Sequence, residues 1–371
     1  MTALGALPDR GFWRGRRVLV TGHTGFKGGW LATWLLDMGA EVVGYAQKPD
    51  TEPAYFELCD LAGRLRSVIG DVRDADDLLR EVQAFGTECV FHLAAQPLVR
   101  RSYRDPVETF GTNVMGTVNV LEAARRTLGV RAVVVVTSDK CYEPGTSLQA
   151  LREDDPMGGR DPYSASKGCA ELVTAAYRRS YFDGRRDAPA VTTVRAGNVI
   201  GGGDWAEDRL VPDAVRAFQR AESLIVRNPE AVRPWQHVLE PVAGYLVLAE
   251  RLHREGAAWA GAWNFGPDAD DAVSVGTLAD LLVRELGAAG WRRGTGASSV
   301  PEAQTLRLDA GKACRLLGWR PRLTLAEAVR LTAAWYRAAL AGAPMYEMTC
   351  EQIRSYEATA PIASHRVAGV R

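Results

Sequence analysis

The sequence has no excess of charge of either sign and no apolar run long enough to cross a membrane. Lysine plus arginine and aspartate plus glutamate each number 45 among the 371 residues, which gives a formal net charge of zero. This balance gives no support for a surface that binds nucleic acid or anionic lipid, although a cationic pocket can exist within a neutral total. A membrane-spanning helix needs about 20 consecutive apolar residues, and the sequence has no such run. We therefore expect neither nucleic acid nor a membrane as a partner.

Cysteine and histidine are scarce, and their spacing does not suit metal binding. Only five histidines occur, and no two cysteines form a CxxC pair. We therefore expect no disulfide framework and no metal site, but free thiols in a reducing cytoplasm. The N-terminal stretch MTALGALPDRGFWRGRR has no charged start followed by a continuous apolar run, so no secretory signal is expected. The cysteines are Cys59, Cys89, Cys141, Cys169, Cys314 and Cys350.

The first half of the chain alternates apolar runs with amphipathic stretches. Uniformly apolar strands separated by helices predict a parallel sheet that is covered on both faces. The predicted class is α/β, with a doubly wound Rossmann-type sheet whose ligand crevice lies at the carboxyl ends of the strands. Strands are predicted at 16–22, 40–46, 65–72, 88–95 and 131–139, and helices at 28–39, 75–85 and 108–129.

After about residue 195 the pattern becomes less regular. A glycine-rich polar segment is followed by short irregular segments and then by predicted helices at 277–287, 309–319 and 324–340. We predict a dinucleotide-binding domain over 1–195, with a returning segment near 234–265, and a smaller, mixed substrate-binding lobe over 196–371. Residues 285–303 are expected to form a flexible surface connection.

The segment VLVTGHTGFKGGW places Gly22, Gly25 and Gly28 between a predicted strand and a predicted helix. Glycines there let the backbone approach a pyrophosphate, whose charge is met by the free N–H groups at the helix N-terminus. The pattern therefore predicts a dinucleotide site. Lys27 either reaches a phosphate or is solvated on the first helical turn. His23 either contacts the phosphates or caps the turn.

The end of the second predicted strand lacks the acidic residue that grips an adenosine ribose. The strand continues into AQKPD, and Lys48 stands near the expected place of the acid. The choice between NAD and NADP is therefore not decided by these residues. Asp71, after the third strand, either contacts the adenine amino group or caps the following loop.

The segment DPYSASKG places Tyr163 and Lys167 four residues apart, on one face of a helix. A nearby ammonium favours a phenolate, so Lys167 is expected to lower the pKa of Tyr163 from its usual value of about 10. Such a tyrosine can exchange a proton with a substrate hydroxyl while a hydride passes to a nicotinamide. Asp139 and Lys140, in TSDK at a strand end, either join this chemistry or form a surface ion pair.

Motifs that carry a family resemblance extend over nearly the whole chain. They are GHTGFKGGW, FHLAAQPLVRRSY, TNVMGT, VTSDKCYE, PYSASK, RAGNVIGGGDWAEDRLVPD, RPWQHVLEP, WNFGP and MTCEQIRSYEA. In these motifs the chain resembles the extended short-chain dehydrogenase/reductase family and, within it, the nucleotide-sugar 4,6-dehydratases. TSDK is the most specific motif, because related dTDP-glucose and GDP-mannose dehydratases carry glutamate where Lys140 stands. The resemblance implies NAD as cofactor, a CDP-sugar as substrate, and a homodimer formed through helices at 108–128 and 163–180.

The resemblance also implies an internal redox cycle that consumes no cofactor. Tyr163 takes the proton of the sugar O4 while the C4 hydride passes to NAD; water is then eliminated across C5 and C6, and the hydride returns to C6. Asp139 is implied as the acid for the departing hydroxyl. Lys140 occupies the position of the C5 base, although a lysine with a pKa of about 10.4 is protonated and suits enolate stabilisation instead. Desolvation and Lys167 lower that pKa, whereas Asp139 raises it; we favour the base.

Motif matching assigns further positions. The implied catalytic set is Ser138, Asp139, Lys140, Tyr163 and Lys167. The implied cofactor contacts are Gly22, Gly25, Phe26, Lys27, Gly28, Asp71, Val72, Leu93, Ala94, Ala95, Thr137, Tyr163 and Lys167. The implied substrate contacts are Gln96, Asn113, Asn198, Arg209, Arg233 and His237, and Trp235 is a further candidate beside the base. Ser138, in preference to Thr137, is expected to hydrogen-bond the sugar O4.

Several of these positions have a purely structural alternative. Tight packing is the alternative for Ala94, Ala95 and Gln96, and a helix kink for Asn113. The arginines can form surface salt bridges, and His237 and Trp235 can pack the smaller lobe.

Two other functions are compatible with parts of the sequence. A nucleotide-sugar 4-epimerase or decarboxylase shares Tyr163 and Lys167 but needs no acid and base aimed at C5 and C6. A non-catalytic dinucleotide sensor or scaffold needs the glycine turn alone. Asp139 and Lys140 therefore favour dehydration over both.

Overall fold

A seven-stranded parallel sheet forms the centre of the computed structural model, which describes residues 5–144, 149–185, 187–267, 272–294 and 306–362. The strands are β1 (Arg17–Thr21), β2 (Glu41–Ala46), β3 (Arg66–Ile69), β4 (Cys89–His92), β5 (Ala132–Val136), β6 (Ala190–Ala196), β7 (Val199–Ile200), β8 (Leu224–Val226), β9 (Val232–Arg233), β10 (Gln236–His237), β11 (Gly261–Phe265), β12 (Val273–Ser274) and β13 (Trp291–Arg293). The sheet order is β11-β6-β5-β4-β1-β2-β3, and the remaining strands form three two-stranded pairs.

Helices cover both faces of this sheet. They are α1 (Arg10–Trp13), α2 (Phe26–Asp37), α3 (Tyr55–Leu58), α4 (Ala75–Phe85), α5 (Val99–Arg104), α6 (Pro106–Phe110), α7 (Gly116–Arg125), α8 (Pro162–Tyr177), α9 (Leu210–Gln219), α10 (Leu239–Glu255), α11 (Val275–Leu286), α12 (Leu325–Leu340) and α13 (Met345–Ala358). No helix within the described ranges is long and apolar enough to cross a membrane. The predicted α/β class with a doubly wound parallel sheet is confirmed.

The apolar run in β5 shows why the sheet is buried on both faces. Val134 and Val136 contribute to the larger hydrophobic core, whereas Val133 and Val135 contribute to the core on the opposite face. Successive side chains of a strand point to opposite faces, so a strand with two covered faces needs apolar residues at every position.

The order of the strands fixes where a ligand can bind. β1 lies between β2 and β4, and both pairs are parallel. The chain thus turns to one side of β1 for β2 and β3 and to the other side for β4, β5 and β6. The crevice of such a sheet opens at the carboxyl ends of the strands at this reversal.

The second half differs from the prediction in its helices. α10 was not predicted because residues 239–250 are all buried and show no polar face. Helical periodicity needs a contrast between faces, which a helix buried all round does not have. Within the predicted helix at 309–319 only residues 311–317 are helical, and they end in a π-helical turn at Ala313–Leu317.

The predicted flexible connection at 285–303 is partly wrong. α11 continues to Leu286, and β13 pairs in parallel with β8. The remaining part, 295–303, lies outside the described residues.

Candidate active site

A cavity of about 1130 Å³ lies at the carboxyl ends of the central strands. Its lining comes from the turns that follow β1, β2, β3, β4, β5 and β6, and from the polar segment after β7. This is the position at which open parallel sheets bind their ligands. All thirteen residues predicted to contact the cofactor line this cavity.

The glycine turn forms one wall of the cavity. Gly22 has a φ of +77°, and a Cβ there would lie 2.7 Å from the backbone nitrogen of Ala94. A Cβ at Gly28 would overlap the carbonyl oxygen of Gly22, so the start of α2 packs directly on the strand end. Gly25 is the N-cap of α2 and offers no side-chain acceptor to the first N–H groups. The turn therefore fits a dinucleotide diphosphate.

The cavity is lined by both cationic and acidic side chains, and four of the cationic ones are predicted ligand contacts. Lys27, Lys167, Arg209 and Arg233 all line it. The pKa of Lys27 is lowered to about 8, mainly by burial and also by the positive charges of Arg209 and Lys167, whereas Asp139 opposes the shift. An anionic ligand would relieve this repulsion.

The five candidate catalytic residues meet in this cavity. Ser138, Asp139 and Lys140 follow β5, while Tyr163 and Lys167 lie one turn apart near the start of α8. The Ser138 hydroxyl donates to Asp139 Oδ1 at 3.1 Å and accepts from the backbone nitrogen of Lys140 at 3.2 Å. Asp139 is 2% exposed, and its Oδ2 has no partner among the described residues.

The expected lowering of the Tyr163 pKa is not found. Burial raises the pKa of Tyr163 to about 12, although hydrogen bonding with Ser138 opposes the rise. The Lys167 ammonium donates to the carbonyl of Val136 at 3.1 Å, and burial lowers its own pKa to about 8. Desolvation of the phenolate is the largest influence on its pKa, and the positive charge that opposes it is that of Arg209, which the spacing of Tyr163 and Lys167 does not reveal.

Three predicted substrate residues do not line the cavity, and two of them, Gln96 and Asn113, are bonded to each other. Asn113 accepts from the Gln96 backbone nitrogen at 2.8 Å through Oδ1, and its Nδ2 donates to the Gln96 carbonyl and to Ser166 Oγ. The Gln96 side chain is bonded to Leu98 and Thr109. Direct substrate contact by Gln96 and Asn113 therefore finds no support in this geometry.

The alternative of a helix kink suits Asn113 better. The predicted helix at 108–129 is interrupted at Gly111–Met115 by a π-helical turn, with α6 before it and α7 after it. Asn113 lies within this turn and is buried. A π-helical turn shifts the side chains that follow it relative to those that precede it. Asn113 lies in this turn and contacts Gln96.

His237 also lies away from the cavity, whereas its neighbour Trp235 lines it. The His237 ring is fully buried and meets the Trp30 ring edge to face at 5.7 Å. Burial lowers the pKa of His237 to about 3. His237 therefore packs against Trp30, the structural alternative given for it, whereas Asn198 and Arg233 line the cavity.

Neither alternative for His23 describes its position. Its ring lies over Gly44 in β2, where a Cβ would overlap it, and Nε2 is hydrogen-bonded with Ser67 Oγ at 2.8 Å. His23 therefore packs against the strand ends beside the glycine turn.

Asp71 lines the cavity, but Arg73 and Gln47 already hold its carboxylate, and hydrogen bonding with Arg73 is the main reason that its pKa is lowered.

The sequence reasoning missed Asp204. Its Oδ2 accepts from Arg209 Nη1 at 2.8 Å, and its negative charge is the main cause of the raised pKa of Arg209. The signal that could have found it was its spacing: it stands five residues before Arg209 in the same polar segment, GGGDWAEDR. Asp208 and Arg227, which are ion-paired with each other, also line the cavity and were missed.

A family model described as "NAD dependent epimerase/dehydratase family" matches residues 18–264. The chain belongs to this family. CDP-glucose 4,6-dehydratase from Salmonella typhimurium is 49% identical over 352 residues, which cover 94% of this chain and 98% of that protein. UDP-glucose 4-epimerase from Mycolicibacterium smegmatis is 30% identical over 335 residues, which cover 86% of this chain and 98% of that protein. The predicted family and the predicted use of NAD are confirmed.

A solved structure from the same family has the same fold. DesIV, a dTDP-glucose 4,6-dehydratase from Streptomyces venezuelae with NAD and TYD bound, superposes with a TM-score of 0.75 at 29% identity. The match covers 89% of this chain and 99% of that one. The protein is thus an enzyme of the nucleotide-sugar dehydratase and epimerase type.

Proposed function

We propose that the protein converts CDP-glucose to CDP-4-keto-6-deoxyglucose and water. The observation that carries the proposal is that Asp139 and Lys140 line the same cavity as Tyr163 and Lys167. A 4-epimerase needs only the tyrosine and lysine pair, whereas a dehydratase also needs an acid and a base at C6 and C5. The 49% identity to the Salmonella enzyme supports CDP-glucose as the substrate.

The residues of the cavity fit NAD. The glycine turn and the N-terminus of α2 would hold the diphosphate, with Phe26, Val72, Leu93 and Ala95 lining the same channel. When bound, NAD supplies a hydride acceptor for C4 of the sugar and a hydride donor for C6.

Tyr163 takes the proton from O4 as C4 is oxidised. Its pKa of about 12 means that it needs positive charge nearby before it can act as a base. Lys167, one turn away on the same helix, supplies one such charge, and Ser138 supplies a hydrogen bond that favours the phenolate once its hydroxyl turns from Asp139 towards Tyr163. Ser138 is also the residue proposed to orient O4, because the Thr137 hydroxyl is bonded to Glu171 instead.

Asp139 and Lys140 then remove water. The C5 proton passes to Lys140, the C5–C6 double bond forms, and the C6–O bond breaks as Asp139 donates its proton to the departing hydroxyl. Hydride addition at C6 and return of a proton to C5 complete the cycle, so no cofactor is consumed. The unpartnered Oδ2 of buried Asp139 is the atom proposed to carry the transferred proton.

The nucleotide is proposed to bind at the lobe over 196–371, apart from the sheet-forming segment near 234–265. Arg209 and Arg233 suit a diphosphate because each guanidinium presents several donors in a fixed plane. Asn198 and, at the start of the returning segment, Trp235 also line the cavity, and each has a buried polar atom without a partner in the described chain. Ligand groups would satisfy these atoms.

We also propose that two copies associate through the helical segments at 108–128 and 163–180. Large apolar side chains on these segments are exposed: Met115 is 52% exposed, Leu172 is 62% exposed and Leu128 is 94% exposed. A dimer that covers both segments would bury them.

A cytoplasmic location is proposed as well. All six cysteines are free thiols, four of them buried in the core, which suits a reducing compartment.

The test is a panel of CDP-glucose, dTDP-glucose, GDP-mannose and UDP-glucose, each with and without added NAD. We expect a product lighter by one water from CDP-glucose, detected by mass spectrometry. Loss of this product in Asp139→Asn, with the fold retained by circular dichroism, assigns the reaction to this cavity. No dehydration of any of the four substrates would overturn the proposal, and product from another nucleotide alone would correct the substrate.

A further inference from the structure

A buried ion pair lies directly behind the candidate catalytic residues. Arg195 in β6 donates to Glu171 in α8 through Nε and Nη2, both at 2.8 Å. The two side chains are 3% and 6% exposed. Neither of them lines the cavity, so the pair has no direct contact with a ligand there.

Glu171 connects the two segments that carry the catalytic groups. It lies one helical turn after Lys167 on α8. Its Oε1 also accepts a hydrogen bond of 2.5 Å from the hydroxyl of Thr137, which immediately precedes Ser138. The carboxylate therefore joins the end of β5 to the helix that carries Tyr163.

The other side of the network holds the chain after Lys140. Arg195 Nη1 donates to the Tyr142 hydroxyl at 2.8 Å, and this hydroxyl donates to Asn264 Oδ1 at 2.7 Å. The segment from Ser138 to Lys140 is thus anchored by Thr137 at its N-terminal end and by Tyr142 at its C-terminal end. Both contacts lead back to the same ion pair.

Stability alone is a weak explanation for such a pair. Removing two charges from water costs several kcal/mol per ion, and well-packed apolar residues of similar volume are often as stabilising. A carboxylate with fixed donors does give a defined direction and distance, which apolar packing gives less strictly. Here the defined distance is the one between the two catalytic segments.

We propose that Glu171 is a positioning residue, which with Arg195 holds Ser138, Asp139 and Lys140 in register with Tyr163 and Lys167. The groups that oxidise C4 and the groups that eliminate water then act on one bound sugar without rearrangement. This inference rests on the proposed function for its kinetic readout.

The charge of Glu171 gives the network a second effect. The titratable and charged groups around Lys167 are Tyr163 and Glu171 on its own helix, Cys141 after β5, His92 at the end of β4 and Lys27 at the start of α2. Burial lowers the pKa of Lys167 to about 8, and Cys141 and Glu171 oppose this shift. Without the carboxylate the Lys167 pKa falls further, and its positive charge is lost at a lower pH.

A pair of threonines gives a matched test of the tether. Thr137 donates to Glu171 Oε1 and Thr193 donates to Oε2 at 2.7 Å, so Thr137→Val and Thr193→Val each remove one hydroxyl donor from the same carboxylate. Only Thr137 adjoins the catalytic segment. We expect Thr137→Val to lower kcat for CDP-glucose about tenfold with KM within about twofold, and Thr193→Val to change neither by more than about twofold.

Hydrogen exchange provides a readout that does not depend on turnover. In Thr137→Val the backbone amides of 138–143 should exchange about tenfold faster than in Thr193→Val, because one of the two tethers is lost. Equal exchange and equal kcat in the two variants would overturn the inference. If the wild-type chain gave no product from any nucleotide sugar, the proposed function would fail, and hydrogen exchange would still decide the inference.

Glu171→Gln tests the charge. We expect the basic limb of kcat/KM to move to lower pH by about one unit, because Lys167 loses its proton more easily. Thr137→Val, which keeps the carboxylate, should leave this limb unmoved. An unchanged pH profile in folded Glu171→Gln would contradict the electrostatic part; if that variant fails to fold, the threonine pair decides the tether.

Discussion

The hydroxyl of Tyr336 in α12 donates a hydrogen bond to the backbone carbonyl of Asp204, 132 residues earlier in the chain. Asp204 is the carboxylate that pairs with Arg209 in the cavity. Helix α12 therefore holds the backbone of Asp204, whose carboxylate orients Arg209, and Arg209 is the residue proposed to bind a phosphate.

Further aromatic side chains, from α12 and from α2, hold the same segment. Trp335 packs so closely on Gly202 that a Cβ there would overlap its indole, and its ring stacks on Tyr55 with centroids 5.9 Å apart. Trp30 in α2 donates to the carbonyl of Gly202 at 2.8 Å. The helix that begins at the glycine turn and the segment proposed to bind the nucleotide are thus packed as one unit.

Tyr336→Phe should weaken substrate binding more than catalysis. The change leaves the buried Asp204 carbonyl without its donor, which costs about 1–3 kcal/mol and loosens the support of Arg209. We expect KM for CDP-glucose to rise about fivefold, with kcat and the dissociation constant of NAD within about twofold. Steady-state kinetics and calorimetric titration with NAD measure these quantities.

Tyr346→Phe is the control for this change, because Tyr346 lies on α13 away from the cavity and stacks on Arg64. It should leave KM unchanged. Equal KM values for Tyr336→Phe and the wild type would show that the 201–205 segment does not depend on this hydrogen bond.

Two asparagines that the motifs place together in substrate binding should behave differently. Asn113→Ala removes three hydrogen bonds that join Gln96, Asn113 and Ser166 in the interior, so we expect a loss of about 1–3 kcal/mol in the free energy of unfolding with KM nearly unchanged. Urea unfolding and steady-state kinetics measure the two effects.

Asn198→Ala should give the opposite pattern. Asn198 lines the cavity, and its Oδ1 has no partner in the described chain. We therefore expect KM for CDP-glucose to rise several-fold, with the urea midpoint nearly unchanged. A rise in KM for Asn113→Ala without loss of stability would restore the substrate contact that the motif implied.

This contrast shows what the sequence can and cannot predict about the site. The chain positions that line the cavity were predictable, because glycine turns and strand ends occupy fixed places in a doubly wound sheet. Local signals also fixed α4, predicted at 75–85 and observed at Ala75–Phe85, where Asp74 caps the start and Gly86 adopts a left-handed conformation after the end. These features depend only on neighbours in the chain.

Features that depend on tertiary packing were not predictable. The direction in which the Asn113 side chain points depends on the π-helical turn at Gly111–Met115. The pKa of Tyr163 depends on how deeply its side chain is buried. α10 was missed because residues 239–250 have no exposed face to reveal a period. Each of these is set by contacts between residues far apart in the sequence.

Substitution of Lys140 separates its two possible roles. A base at C5 exchanges the C5 hydrogen with solvent, and a carboxylate can do the same, whereas a thioether cannot. We expect Lys140→Glu to retain a measurable rate of solvent-deuterium incorporation at C5 and Lys140→Met to lower that rate, together with turnover, by about 10²–10⁴-fold. Mass spectrometry of product formed in deuterium oxide measures the incorporation.

An undiminished rate of incorporation in Lys140→Met would show that another group removes the proton. Lys140 would then stabilise the enolate as a cation, and Lys140→Arg should keep more activity than Lys140→Glu. The pair of variants thus distinguishes a proton acceptor from a fixed positive charge.

Two buried carboxyl groups should make the folded protein less stable as the pH rises towards neutrality. Burial raises the pKa of both Glu240 and Glu250 to about 7. Between their ordinary pKa of about 4.3 and 7 the folded state keeps protons that the unfolded state releases, so stability falls with rising pH by up to about 1.4 kcal/mol per pH unit for each group. Above 7 both states are ionised and this contribution to the slope ends.

Glu240→Gln should remove the share of this pH dependence that comes from Glu240. The Glu240 carboxyl accepts from the backbone nitrogens of Arg322 and Leu323 and from the hydroxyl of Tyr356, and an amide oxygen can accept the two backbone bonds without carrying charge. We expect the free energy of unfolding, measured in urea at pH 5, 6 and 7, to increase in the variant relative to the wild type as the pH rises. A difference between variant and wild type that is the same at all three pH values would mean that Glu240 keeps an ordinary pKa, because only a shifted titration makes the difference depend on pH.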